Sequence, residues 1–239
     1  MQKIFHRAVD RGVAEHGWLK SRYSFSFADW FRPDRLGFGA LRVLNDDRIA
    51  PNSGFPMHPH ANMEIVTVVT SGAVTHEDSL GNRAVIPAGD VQIMSAGTGV
   101  VHAEFNRSAD EPLELFQIWI TPHTKGLAPS YAQAPFRGGV GENDLRLLVS
   151  PTGEDSSLSI RQEAFIWVGS FDENTEVTYR VRRTGNGVYL FIVSGGATVD
   201  GETLEVRDAV GVWETDRINF STEAGTTVLV FDVPLTATG

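Results

Sequence analysis

Three histidines and a glutamate, held in two short strings, are the residues of this chain best suited to chemistry: His58-Pro59-His60 and His102-Ala103-Glu104. Each string repeats a metal-ligating side chain at i and i+2. On a β-strand that spacing turns both side chains to one face. Two such pairs facing each other across a small barrel make a four-ligand site of three imidazoles and one carboxylate. That donor set suits Fe, Co, Ni, Zn or Mn. The histidines are unevenly placed: the last of the seven is His123, and none follows it. The N-terminal half is therefore read as the working half of a metalloprotein.

Further polar residues surround this constellation. Glu64 has even spacing from both His58 and His60, so it could face the same interior. Spacing alone leaves open which of Glu64 and Glu104 ligates and which supports a histidine by hydrogen bonding. His76 and Asp78 form a third i,i+2 pair, read either as a solvated hairpin end or as a pair at the pocket mouth that touches substrate. His123 follows Pro122 at a strand end, a surface or domain-junction position, while His6 and His16 have no informative partners. Phe25, Phe27, Phe38, Phe55, Phe116 and Trp119 are core residues, some of which could line the cavity leading to the metal. Competing chemistries are weaker. The glycine-rich Ser95-Ala96-Gly97-Thr98-Gly99 lacks the lysine and following helix of a phosphate loop, and no GxSxG elbow occurs. With 30 Asp and Glu residues, any chosen carboxylate pair says little about glycoside chemistry.

These residues must be positioned by strands. Twenty-four glycines and eleven prolines point to many turns and an all-β fold. The 239 residues suffice for one large β domain or two ordinary ones. The alternating Tyr23–Phe27 is read as a strand, as are Leu41–Leu44, Glu64–Thr70, Ala73–Glu77, Val100–Phe105 and Leu113–Ile120. Asn45-Asp46-Asp47 is read as a turn, and Pro56 and Pro59 place the first histidine pair on an edge. Residues 124–141 are read as an interdomain connection, and a second series of short strands follows from Leu145 to Phe231. Val69-Thr70-Ser71-Gly72-Ala73-Val74-Thr75 resembles Val193-Ser194-Gly195-Gly196-Ala197-Thr198-Val199, and Ala88-Gly89-Asp90-Val91 resembles Val206-Arg207-Asp208-Ala209-Val210. Both pairs of strings fit a duplicated unit of strand, glycine turn, strand and acidic turn.

The formal net charge of −10 supplies no basic surplus for a nucleic-acid backbone, and Arg180, Arg182 and Arg183 are too few to change that. Without cysteine there is no disulfide, thiolate ligand, iron–sulfur cluster or cysteine nucleophile. The opening MQKIFHRAVDRG has no secretory h-region, and no apolar run reaches the length of a spanning helix. A cytoplasmic, membrane-free protein is the expectation.

The string Pro56-Met57-His58-Pro59-His60-Ala61-Asn62-Met63-Glu64-Ile65-Val66-Thr67 resembles the first signature of the pirin family of bicupins. Met94-Ser95-Ala96-Gly97-Thr98-Gly99-Val100-Val101-His102-Ala103-Glu104-Phe105-Asn106 resembles the second. The hairpin His76–Asn82 and the turn Pro87-Ala88-Gly89-Asp90 also fit. The resemblance implies two jelly-roll cupin barrels in tandem, with the metal site in residues 1–130 and a degenerate cupin lacking metal ligands in residues 131–239. It implies His58, His60, His102 and Glu104 as ligands of one divalent metal, Fe(II) foremost, with Co, Ni, Zn, Mn or Cu as substitutes. It also implies a quercetin 2,3-dioxygenase-like activity on a flavonol and O₂. Glu104 is then the first candidate base, and Glu64 or His76 the second. The alternative is a metal-binding regulator that acts through a protein partner without turnover. A monomer is expected.

Overall fold

The computed structural model describes residues 1–136 and 143–235. Among these residues there is no α-helix, only two 3-10 turns at Ala8–Asp10 and Glu154–Ser156. The rest is strand and turn, as the density of glycine and β-branched residues requires.

One arrangement occurs twice. In the N-terminal half a four-stranded sheet runs in the order Ser53–His60, Val100–Asn106, Ala73–Asp78, Arg83–Pro87. It packs on a seven-stranded sheet ordered Ser130–Pro135, Asp90–Ser95, Glu64–Ser71, Leu113–Ile120, Leu41–Ile49, Leu19–Tyr23, Gly12–Glu15. The C-terminal half repeats this with four strands, Thr175–Arg180, Arg217–Thr222, Ala197–Val199 and Glu202–Leu204, over a second sheet of seven. The expected tandem of jelly-roll cupins is thus present, each built as two facing sheets that stay open rather than as a closed barrel. One reason is visible at the edge strand Ser53–His60, where Pro56 and Pro59 remove two of the donors that a closing strand would need.

The two seven-stranded sheets pack against each other at the centre of the molecule. Val66, Phe116 and Ile118 from one share a core with Tyr189, Phe191 and Phe231 from the other. Both faces of these sheets are therefore covered, and their strands are buried in runs rather than in alternation. The first six residues of Glu64–Ser71 are buried, as are the first seven of Asn186–Ser194.

Two strands cross the expected division at residue 130. Gln2–His6 pairs with Ala209–Trp213 at the edge of the C-terminal sheet, and Ser130–Pro135 pairs with Asp90–Ser95 in the N-terminal one. Each covers an edge that would otherwise present unpaired backbone groups. The expected connection at 124–141 therefore contains a strand, and its last five residues lie outside the described residues. Asn45-Asp46-Asp47 is not a turn but the middle of Leu41–Ile49, held in register by Leu19–Tyr23 on one side and Leu113–Ile120 on the other. The strand expected at Tyr23–Phe27 lies earlier, at Leu19–Tyr23. The duplicated strings do occupy equivalent turns: Gly72 and Gly195 have φ of 74° and 72°, and Gly89 and Arg207 have φ of 86° and 70°.

Candidate metal centre

The four-stranded sheet of the N-terminal half brings the two ligand strings together. Ser53–His60 and Val100–Asn106 are antiparallel neighbours with His58 opposite His102. On the other side of Val100–Asn106, Asp78 is opposite His102 and His76 is opposite Glu104. A bulge follows His102, so Glu104 faces Phe55 instead of the residue two before His58. Bulges re-aim side chains in this way. Gly54 permits the close approach beyond the bulge, because a Cβ there would lie 2.3 Å from the Glu104 carbonyl oxygen and 2.5 Å from the Phe105 Cα.

Period-two alternation then turns His58, His60, His102 and Glu104 into one cavity of about 310 Å³. The ring centroids of His58, His60 and His102 are 4.4–4.9 Å apart. Their ligating nitrogens lie within 4.8 Å of one another, and so do the ligating atoms of His76, His102 and Glu104, so His102 belongs to both trios. The Nδ1–H of His58 donates to the Pro56 carbonyl at 2.8 Å, which leaves Nε2 as the free lone pair. His102 is 1% exposed, and neither of its ring nitrogens has a hydrogen-bond partner. A buried imidazole without partners is costly unless something else takes its lone pair. Burial, reinforced by the neighbouring imidazoles, pushes His102 down to about 3. Burial and His58 push His60 down to about 4. Both rings are therefore neutral, the form that ligates metals. Together with the Glu104 carboxylate, this donor set fits a divalent transition metal.

Glu104 is held from the opposite sheet. Gln92 Nε2 and Thr67 Oγ1 donate to its Oε1 at 2.7 and 3.2 Å, and Gln117 Nε2 donates to its Oε2 at 2.7 Å. Burial pushes this carboxyl up, against the pull of His76 and these donors. Thr67, Gln92 and Gln117 were not anticipated as site residues. Each is a buried polar side chain between two apolar neighbours near the middle of its strand, and three such interruptions in neighbouring strands are the signal that could have found them. Asn45 and Asp47 also line the cavity. The Ser21 hydroxyl donates to Asp47 Oδ1, and burial pushes the Asp47 carboxyl up to about 7.

Other expected residues lie elsewhere. Glu64 does not line the cavity: its Oε2 accepts from the Ser95 hydroxyl at 2.7 Å and from the Arg161 backbone N–H at 3.1 Å, tying the two halves together. Its support of a histidine is corrected accordingly. The reason is that Glu64 belongs to the seven-stranded sheet, opposite Ser95, and not to the strand of the histidine pair. His76 is fully buried, so it is neither a solvated hairpin end nor a mouth residue. Its Nε2–H donates to Asp78 Oδ2 at 3.0 Å, and its ring stacks on Tyr131 at 4.7 Å. His123 sits at the junction, where its backbone N–H donates to the Arg161 carbonyl.

Residues 6–120 match the pirin family, and residues 147–233 match the family described as quercetinase C-terminal cupin domain. A quercetin 2,3-dioxygenase of Escherichia coli strain K12 is 41% identical over 95% of this chain and 97% of its own length. A pirin-like protein of Caulobacter vibrioides is 45% identical over 84% of this chain and 86% of its own length. The crystal structure of the bacterial pirin YhhW from E. coli in complex with nickel(II) superposes with a TM-score of 0.92 at 39% identity, covering 98% of this chain and 99% of that one. Two open cupin sandwiches, three imidazoles gathered with a carboxylate in the first of them, and likeness over nearly the full length converge on one assignment: the chain belongs to the pirin family and is a metal-binding bicupin.

Proposed function

We propose that this protein is a metal-dependent dioxygenase that opens the central ring of a flavonol such as quercetin with O₂. The observation that carries this reading is the cavity itself: about 310 Å³, walled by Trp18, Tyr23, Phe27, Phe55 and Trp119, with the imidazole–carboxylate cluster in its lining. That volume lies at the small end of the usual range for ligand pockets, and aromatic walls suit a flat ring system. The similarity to a protein called quercetin 2,3-dioxygenase supports the same substrate class.

His58, His60, His102 and Glu104 would hold the metal, in the N-terminal half alone. When bound, a divalent metal supplies Lewis acidity and the electronic route for O₂ chemistry. Fe(II) is our first choice, with Ni, Co, Zn, Mn or Cu as alternatives; the nickel complex of YhhW supports a divalent ion in general. Three neutral imidazoles and one carboxylate leave such a site with net positive charge, which favours an anionic substrate oxygen. The Pro56 carbonyl orients His58, and the two glutamine amides and Thr67 orient Glu104. Trp119 meets His60 edge-on at a centroid distance of 4.9 Å and Phe27 at 5.4 Å, so these rings exclude water beside the cluster. His76, pinned by Asp78 and Tyr131, packs behind His102 and acts by positioning it.

Anaerobic reconstitution with single metals, followed by metal analysis and O₂ uptake with quercetin, tests this reading. Stoichiometric ring-opened product with one metal supports it. Metal binding without turnover across several flavonols would replace it with a metal-binding regulator that acts through a protein partner.

A further inference from the structure

The strand Leu41–Ile49 carries three consecutive polar residues through the interior, and alternation sends them to opposite faces. Asp46 points to the join between the halves, where Arg11 and Arg207 pair with it. Asn45 and Asp47 point into the cavity. Asp47 is 4% exposed, and its Oδ1 accepts the Ser21 hydroxyl. No protein donor among the described residues reaches its Oδ2. Among the described residues no lysine or arginine lines the cavity. The groups facing Asp47 there are Glu104, Tyr23, His16 and the imidazoles of His58, His60 and His102, with Asp46 and Arg11 behind it. On the Asn45 side chain, Oδ1 is likewise buried and unpartnered, so it offers a second acceptor on the same wall.

The other carboxyl in the cavity is already engaged: both oxygens of Glu104 accept side-chain donors. We infer that Asp47, not Glu104, is the cavity's proton acceptor, a catalytic residue that takes the hydroxyl proton of an aromatic ligand whose oxygen turns toward the imidazole cluster. The ligand's O–H bond breaks and its electron pair stays on the ligand oxygen. A new O–H bond forms at Asp47 Oδ2, converting the carboxylate to the acid, and nothing is oxidised or reduced. Desolvation holds the Asp47 carboxyl at about 7. A base with that proton affinity is partly ionised at neutral pH and accepts a phenolic proton more readily than an ordinary carboxylate does. This inference rests on the flavonol reading above, since it needs a ligand with an acidic ring hydroxyl.

The test is an anaerobic titration of the metal-loaded protein with quercetin between pH 5 and pH 9, read by the absorbance of the flavonol anion. Wild type, Asp47→Asn and Ser21→Ala are compared, with metal content as control. The wild type is expected to form the bound anion along a pH limb that rises as the buried Asp47 carboxyl ionises. Asp47→Asn should bind metal normally and lose that limb, with aerobic turnover falling about 100-fold or more. Ser21→Ala removes a hydrogen bond that favours the carboxylate, so its limb should move to higher pH. This second variant decides the matter if Asp47→Asn does not fold. An unchanged limb in Asp47→Asn, or an unmoved one in Ser21→Ala, overturns the role of Asp47 and leaves the flavonol reading standing. A wild type that binds no quercetin overturns both.

Discussion

The two halves share one sandwich and differ in what fills it. In the C-terminal half one apolar cluster includes Tyr179, Val188, Leu190, Val210, Ile218, Phe220, Val228 and Val230, and the buried Asp232 at its border is closed off by the Tyr179 hydroxyl, the Asn186 amide and the Arg182 backbone N–H. In the N-terminal half the apolar residues separate into two smaller clusters, one around Ile49, Val69 and Leu115, the other around Ile65, Met94 and Val100. Between them, on the same strands, sit Thr67, Gln92, Asp47 and Gln117, facing His102 and Glu104. The outer sheets show the same contrast. Where the N-terminal sheet sets His58 opposite His102, the C-terminal one sets Val177 opposite Phe220 and Tyr179 opposite Ile218. The backbone plan is therefore indifferent to function. Inward positions at the strand centres decide whether a sandwich closes over hydrocarbon or holds a polar site, and the chain divides these tasks between its halves.

Breaking the polar half has the largest expected effect. His102→Ala should remove most bound metal while far-UV circular dichroism still reports a β protein, because two apolar clusters and the C-terminal half remain intact. Full metal occupancy in that variant would take His102 out of the ligand set. Breaking the apolar half should do the reverse. Phe220 is 2% exposed, and Phe220→Ala should cost about 3–5 kcal/mol by leaving a cavity, with metal content unchanged. A denaturant midpoint close to wild type would mean that this interior is less tightly packed than it looks.

The join between the halves can be probed by acid. His6 lies in the strand lent to the C-terminal sheet, its Nδ1 within 3.0 Å of the Tyr189 hydroxyl, and burial pushes it from 6.5 down to about 4. A lowered histidine means that the unfolded chain binds the proton first. Stability from the neutral ring is complete above pH 6.5 and is lost as pH falls toward about 4, a swing on the order of 3 kcal/mol. Denaturation at pH 7 and pH 4.5 should show this loss in wild type and a smaller one in His6→Gln; equal losses in both would assign the acid sensitivity to other groups.

Two smaller effects sharpen the comparison. Gln117→Leu replaces a buried polar side chain of the N-terminal sandwich with an apolar one and removes a donor from Glu104. Metal affinity measured by competition should weaken about 10–100-fold. Glu64→Gln should leave metal affinity as it is and cost only about 1 kcal/mol, the net worth of the hydrogen bonds it alters at the junction. A change in the oxygens bound to the metal, read by metal-edge X-ray absorption, in Glu64→Gln and none in Glu104→Gln would return ligation to Glu64.

The sequence alone determined the candidate ligand types, their i,i+2 spacing, the all-β class and the glycine turns at Gly72 and Gly195. These are local properties: alternation, proline's missing donor and glycine's access to positive φ act over a few residues. It also pointed to a second cupin after the connecting segment, and residues 147–233 match such a domain. Tertiary structure decided what depends on facing. Glu64 and Glu104 are both evenly spaced glutamates on strands, but only Glu104 lies in the sheet that carries the histidines. Asn45-Asp46-Asp47 has the composition of a turn, and becomes a strand because Ser21 receives Asp47 on one face while Arg11 and Arg207 receive Asp46 on the other. Where both faces of a sheet are buried, period two says which residues share a face but not what that face meets. That is settled by pairing and packing between residues far apart in the chain, such as His6 with Tyr189 and Glu64 with Arg161.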